Sequence, residues 1–116
     1  MRNFRNYEVW QEGIDLVTKV YSITQTLPSS EKFGLTSHLR KTAVSIPSNV
    51  AEGCSRSSER EFKRFVEIAL GSAFELETQI LIAARLDYIS NTNLILDDIT
   101  KLRKIIIGLK KYLNKN

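Results

Sequence analysis

A chain of 116 residues is long enough for one hydrophobic core and too short for two domains. Its 42% hydrophobic and 26% charged residues, with only five Gly and two Pro, exclude a disordered, collagen-like or low-complexity polymer. Cys54 is the only cysteine, which excludes an intramolecular disulfide, a CxxC redox pair and a cysteine-rich zinc site.

The longest uncharged stretch, Val20 to Ser30, is far shorter than the roughly 20 apolar residues of a membrane helix. The first residues, MRNFRNY, lack the apolar core of a secretory signal, so a cytoplasmic protein without a membrane partner is expected. Seventeen Lys+Arg against thirteen Asp+Glu give a net charge of +4, unevenly spread. Residues 1–98 hold eleven basic and all thirteen acidic residues, whereas 99–116 hold six basic residues and no acidic one. The C-terminal segment is a basic element on a nearly neutral body.

The first helix is expected over about 7–26. Trp10, Ile14, Val17 and Tyr21 recur at helical spacing, and a second apolar row, Val9, Leu16, Val20, Ile23 and Leu27, lies beside them. So broad an apolar face exceeds what one neighbour covers, which points to two helical neighbours or a second subunit. Pro28 ends the helix, and Pro28 to Phe33 reads as a short helical turn, with Glu31 near its positive end and Gly34 breaking it.

A second helix, about 35–54, carries Leu39, Ala43, Ile46 and Val50 on one face. Pro47 lies inside it, so the helix kinks or two shorter helices meet there; Asn49 and Glu52 are expected to satisfy the backbone groups that the proline frees. Gly53 and the polar run Ser55 to Ser58 mark its end. The third helix, about 58–88, has the clearest pattern: Phe62, Val66, Ala69, Ala73, Leu76, Ile80 and Ala83 alternate spacings of four and three. Ser57 or Ser58 supplies the N-cap, and Glu61 completes a capping box with Ser58. After a turn at Ser90, Asn91 and Asn93, a fourth helix over about 92–113 carries Ile95, Ile99, Leu102, Ile106, Leu109 and Leu113. Four helices with short connections make an all-α, antiparallel up-down four-helix bundle with a kinked second helix, as a single domain over 1–116.

Catalytic chemistry finds little support. His38 is the only histidine, and Leu35, not a carboxylate, stands three residues before it, which excludes the Glu-x-x-His pairs of a di-iron bundle. With no carboxylate nearby in sequence to orient it as a base for Ser45, His38 reads as a surface or interface residue. Ser72, Glu75 and Gln79 share a stripe with Ile68, Ile82 and Leu86, which suggests a partly buried carboxylate. Because no nucleophile, metal cluster or phosphate loop accompanies it, the stripe reads as a polar network fixing helix register or a subunit contact. No enzymatic activity, metal or cofactor is expected.

The basic residues are the functional candidates. Lys101, Lys104, Lys111 and Lys115 share one face of the fourth helix, opposite its apolar stripe, and Arg103 and Lys110 flank it. A second cluster, Arg56, Arg60, Lys63 and Arg64, surrounds the start of the third helix and is partly neutralised by Glu59, Glu61 and Glu67. Such faces meet solvent or phosphates, and phosphate contact needs positive charge without any base-reading motif.

The string SIPSNVAEG at Ser45 to Gly53 resembles the core motif of the four-helix-bundle family encoded inside the intervening sequences of bacterial 23S ribosomal RNA genes. The resemblance extends through VWQ at Val9 to Gln11, FGLTSHLRKTAVSIPSNVAEG at Phe33 to Gly53 and IALGSAFELETQ at Ile68 to Gln79. It departs at Gly13, where alanine is usual, at His38, where glutamine is usual, and at Asp87, where glycine precedes Tyr-Ile. On this resemblance Ser45, Pro47, Asn49, Glu52, Gly53, Ser72 and Glu75 are residues of the structural motif. It further implies a ring-like homopentamer, related to the accessory protein of diversity-generating retroelements, a basic barrel that contacts nucleic acid and a reverse transcriptase.

The expected function is therefore a non-enzymatic homo-oligomer that binds RNA or DNA through a basic surface, as an accessory factor in RNA processing or a retroelement. Five copies at +4 would carry about +20, so that a modest patch is multiplied. The alternative is an oligomeric scaffold that docks a partner protein and uses its lysines for solubility alone.

Overall fold

The computed structural model describes residues 2–115, which form helices α1 (Glu8–Ile23), α2 (Leu35–Cys54), α3 (Glu59–Arg85) and α4 (Asn93–Asn114). Single 3-10 turns precede α1 at Phe4–Asn6 and link α1 to α2 at Thr24–Thr26 and Ser29–Glu31; no strand occurs among the described residues. Both α1 and α3 pack against α2 and α4, closing an up-down bundle of 45 × 24 × 19 Å. Antiparallel α3 and α4 show in their ion pairs, where Arg103 meets Glu77 and Lys110 meets Glu67.

The expected stripes of α2 and α3 are buried in full, and that of α4 at every position but Leu109, which is half-buried. On α1 the row Val9, Gly13, Leu16 and Val20 turns inward. Trp10 and Val17 are half-buried, and Ile14 and Tyr21 lie on the surface, so the second apolar face of α1 has no cover within the subunit. Apolar periodicity locates both rows, but only the position of the neighbouring helices decides which is core.

Local chemistry explains the helix ends. Ser58 caps α3, its hydroxyl accepting from the Glu61 N–H at 3.1 Å. α3 stops at Arg85, short of Tyr88, in a left-handed turn: Asp87 has φ 62, the Tyr88 N–H reaches the Ala83 carbonyl and the Asp87 N–H that of Ala84. Glu31 sits outside the start of α2, where its carboxylate accepts from the Leu35 N–H at 3.1 Å and from the Tyr88 hydroxyl at 3.4 Å.

At Pro47 one alternative falls away and one expectation changes. α2 is one continuous helix through the buried proline, so it does not divide into two shorter ones. Asn49 donates to the Ser45 carbonyl at 2.7 Å, not to that of Ala43, whose ladder donor the proline removes, and Glu52 turns outward to Arg56. The Pro47 ring meets α1 instead: a Cβ built on Gly13 would lie 3.3 Å from its Cβ and Cδ atoms.

Gly53 also differs from its expected part as a helix terminator. It is inside α2, and its φ is not positive. A Cβ there would stand 2.8 Å from Phe65 Cβ and 2.9 Å from Phe62 Cδ1, so glycine allows α2 and α3 to approach closely at this end.

Candidate nucleic-acid interface

Antiparallel order places four chain segments at one end of the bundle: the N-terminal residues, the end of α2, the start of α3 and the end of α4. Aromatic rings mark this end, with Tyr7 edge-on to Phe62 at 5.6 Å and Arg2 over the same Phe62 ring at 4.6 Å. Burial raises the Tyr7 hydroxyl pKa and the Cys54 thiol pKa, and Arg2 opposes both shifts. Residues 2–8, 52–64 and 108–115 together hold nine basic and four acidic side chains. At the opposite end, residues 19–40 and 82–98 hold four of each. The cluster at the start of α3 and the last three basic residues of the α4 cluster, Lys110, Lys111 and Lys115, thus converge on one pole, while Lys101, Arg103 and Lys104 lie about midway along α4.

The structure sorts the candidates by partner. Lys101 reaches Glu12 at 3.4 Å, Lys110 reaches Glu67 at 3.3 Å, and Arg103 pairs with Glu77 while covering the Phe74 ring. Half of the basic residues after Asp98 therefore meet acidic partners on neighbouring helices, which the local sequence did not reveal. Lys104, Lys111 and Lys115 are exposed and make no ion pair among the described residues. Arg56 pairs with Glu52 at 2.8 Å, whereas Arg60, Lys63 and Arg64 are unpaired among the described residues. Glu67, expected to temper that cluster, serves Lys110 instead.

Sequence reasoning missed Arg2 and Arg5. Arg2 lies over Phe62 with Cζ 4.6 Å from the ring centre and donates to the Arg56 carbonyl at 3.0 Å. Arg5 lies over Phe4 at 4.6 Å. Their signal was present as two arginines three residues apart just before the first helix, but it acquires meaning only once the topology is known.

The remaining candidates form a polar seam between α2 and α3. The Ser45 hydroxyl donates to the Thr42 carbonyl at 2.6 Å and lies 2.7 Å from the Ser72 hydroxyl, and Thr42 donates to Glu75 at 3.3 Å. Glu75 is exposed rather than partly buried, because its stripe, with Ile68, Ile82 and Leu86, faces outward from the subunit. Ser72 and Gln79 are half-buried, and His38 is exposed. No group of three or more His, Cys, Asp or Glu among the described residues could hold a metal ion, and no described helix is long and apolar enough to cross a membrane.

Comparison with known proteins agrees with this architecture. A crystal structure of a protein with unknown function from the S23 ribosomal protein family of Bacteroides thetaiotaomicron superposes with a TM-score of 0.81 at 24% identity, covering 89% of this chain and 95% of that one. This likeness establishes the fold alone. No curated protein matches the chain. The family model described as 23S rRNA-intervening sequence protein matches residues 5–108, leaving Arg2, Lys110, Lys111 and Lys115 outside the match, and the chain belongs to that family.

Proposed function

We propose that the protein is a non-enzymatic, homo-oligomeric bundle that binds RNA or DNA through its basic pole, as an accessory factor in RNA processing or in a retroelement. The observation that carries this reading is the convergence of Arg2, Arg5, Arg60, Lys63, Arg64, Lys111 and Lys115 on one end of the molecule, with few acidic partners there. Such a surface attracts polyanions by releasing their counterions, which requires no base-specific contacts.

Self-association is supported by apolar surface on two sides. α3 exposes Ile68, Phe74, Leu81, Ile82 and Leu86, while Ile14, Tyr21 and Val44 are exposed on α1 and α2. Two different apolar faces on one subunit suit a head-to-tail contact that closes into a ring, the pentamer implied by the family resemblance. A ring repeats the basic pole and raises avidity without any new contact.

Fluorescence anisotropy with labelled RNA and DNA across a salt series tests the binding. Affinity should fall steeply from low to physiological ionic strength, with little sequence preference. Changing Lys104, Lys111 and Lys115 together to Glu should weaken binding by more than about tenfold, while circular dichroism and oligomer mass stay unchanged. Absence of binding by the unaltered protein at low salt would favour the scaffold reading, and a monomer mass by light scattering would remove the avidity argument.

A further inference from the structure

Two open depressions adjoin at the basic pole. One, of about 510 Å³, is lined by Arg2, Ser55, Arg56 and Ser57. The other, of about 370 Å³, shares Arg2 and Ser55 and is completed by Asn3, Phe4, Arg5 and Cys54. Their arginines are held over aromatic rings: Arg2 over Phe62 at 4.6 Å, Arg5 over Phe4 at 4.6 Å and Arg56 over Phe65 at 4.9 Å. A guanidinium stacked on a ring keeps its donors in the plane and loses little further freedom when an anion arrives.

One donor has no acceptor: Arg56 Nε is shielded from solvent and unbonded among the described residues. The same guanidinium already grips a carboxylate, since its Nη2 lies 2.8 Å from Glu52 Oε1. Arg2 is tied by Nη1 to the Arg56 backbone carbonyl at 3.0 Å, and both arginines line the same depression.

We propose that the Arg2–Arg56 depression is a phosphate-recognition site in which an incoming phosphate displaces Glu52 from Arg56 and bridges the two guanidiniums, beside Ser57 and Ser55, whose hydroxyl donates to the Glu52 carbonyl at 2.6 Å. Tetrahedral oxygens match two planar donor forks better than one flat carboxylate does, and the extra negative charge favours the exchange. Glu52 is the built-in competitor that occupies Arg56 Nη2 in the empty site, and Glu59 is a further acidic side chain that acts on Tyr7 at this end. This assignment deepens the nucleic-acid reading, on which it rests only for the carrier of the phosphate.

The test uses the whole protein and short 3′-labelled single-stranded RNA, with and without a 5′-phosphate, together with inorganic pyrophosphate by calorimetry. Arg2→Ala should weaken RNA binding by about tenfold or more, and Arg2→Lys, which keeps the charge but not the fork, should leave most of that loss in place. Glu52→Gln should tighten binding several-fold, an effect that a merely structural role would not produce. A strong preference for the 5′-phosphorylated RNA assigns the site to a strand end, and equal binding assigns it to internucleotide phosphates. Arg2→Lys binding like the unaltered protein would overturn the site, leaving only diffuse charge. RNA binding lost on reversal of Lys104, Lys111 and Lys115 but indifferent to Arg2→Ala would overturn the site and spare the general reading. Pyrophosphate binding that depends on Arg2, without any RNA binding at low salt, would overturn the nucleic-acid reading and keep the site.

Discussion

The two ends of the bundle use charge in opposite ways. At the loop end Glu31 accepts from the first N–H of α2, Lys19 meets Asp98 at 2.7 Å, and Arg40 donates to the Thr24 hydroxyl at 2.9 Å while covering Tyr21. Those charges close backbone ends and hold connections, and their numbers balance. At the other pole the cations outnumber any local acceptor, and three arginines lie on aromatic rings. At the loop end the charges are matched by the fold's own polar groups, whereas at the basic pole they exceed them and are available to a ligand.

Charge reversal at both ends is the strongest way to break this comparison. Lys32→Glu with Arg85→Glu at the loop end should leave nucleic-acid affinity within about threefold, against the more than tenfold loss on reversing Lys104, Lys111 and Lys115. Losses in proportion to the number of charges reversed, in anisotropy titrations, would mean that net charge alone governs binding and that its placement does not.

Gly53→Ala tests the packing beneath the basic pole. The new Cβ meets Phe62 and Phe65 at under 3 Å, so overpacking should outweigh the gain in helix propensity. A net loss of about 2 kcal/mol in urea unfolding is expected. An unchanged midpoint would show that α2 and α3 can part here without penalty.

At the loop end, Glu31→Ala removes the acceptor of the Leu35 N–H and should lower stability by about 1 kcal/mol, with nucleic-acid binding unaffected. The smallest effect is expected at Asp87, which holds φ 62 at the end of α3. Asp87→Gly should raise stability by up to about 1 kcal/mol, since glycine adopts this conformation without the Cβ penalty. A lower melting temperature would mean that the carboxylate contributes more than the backbone strain takes away.

Much of the fold was legible in the residues. The unbroken stripe from Phe62 to Ala83 is wholly buried, and Ser58 caps the helix it was expected to cap. Such features depend on residues within a few turns of one another, so spacing alone exposes them. The candidate site was legible only in part. Its lysines and arginines were visible as two clusters, but the acidic partners of Lys101, Arg103 and Lys110 lie on α1 and α3, between 26 and 89 residues away, and no local pattern names them.

Taken alone, the sequence determined the helix count, the core face of α2, α3 and α4, and the presence of surplus positive charge, because periodicity and composition are properties of neighbouring residues. Tertiary structure decided which apolar row of α1 is core, that Gly53 serves close helix approach, and that Arg2 joins Arg56 at a single pole. These outcomes depend on the antiparallel return of the chain, which brings residues 54 apart within hydrogen-bonding distance. Only the packed helices set which segments share an end.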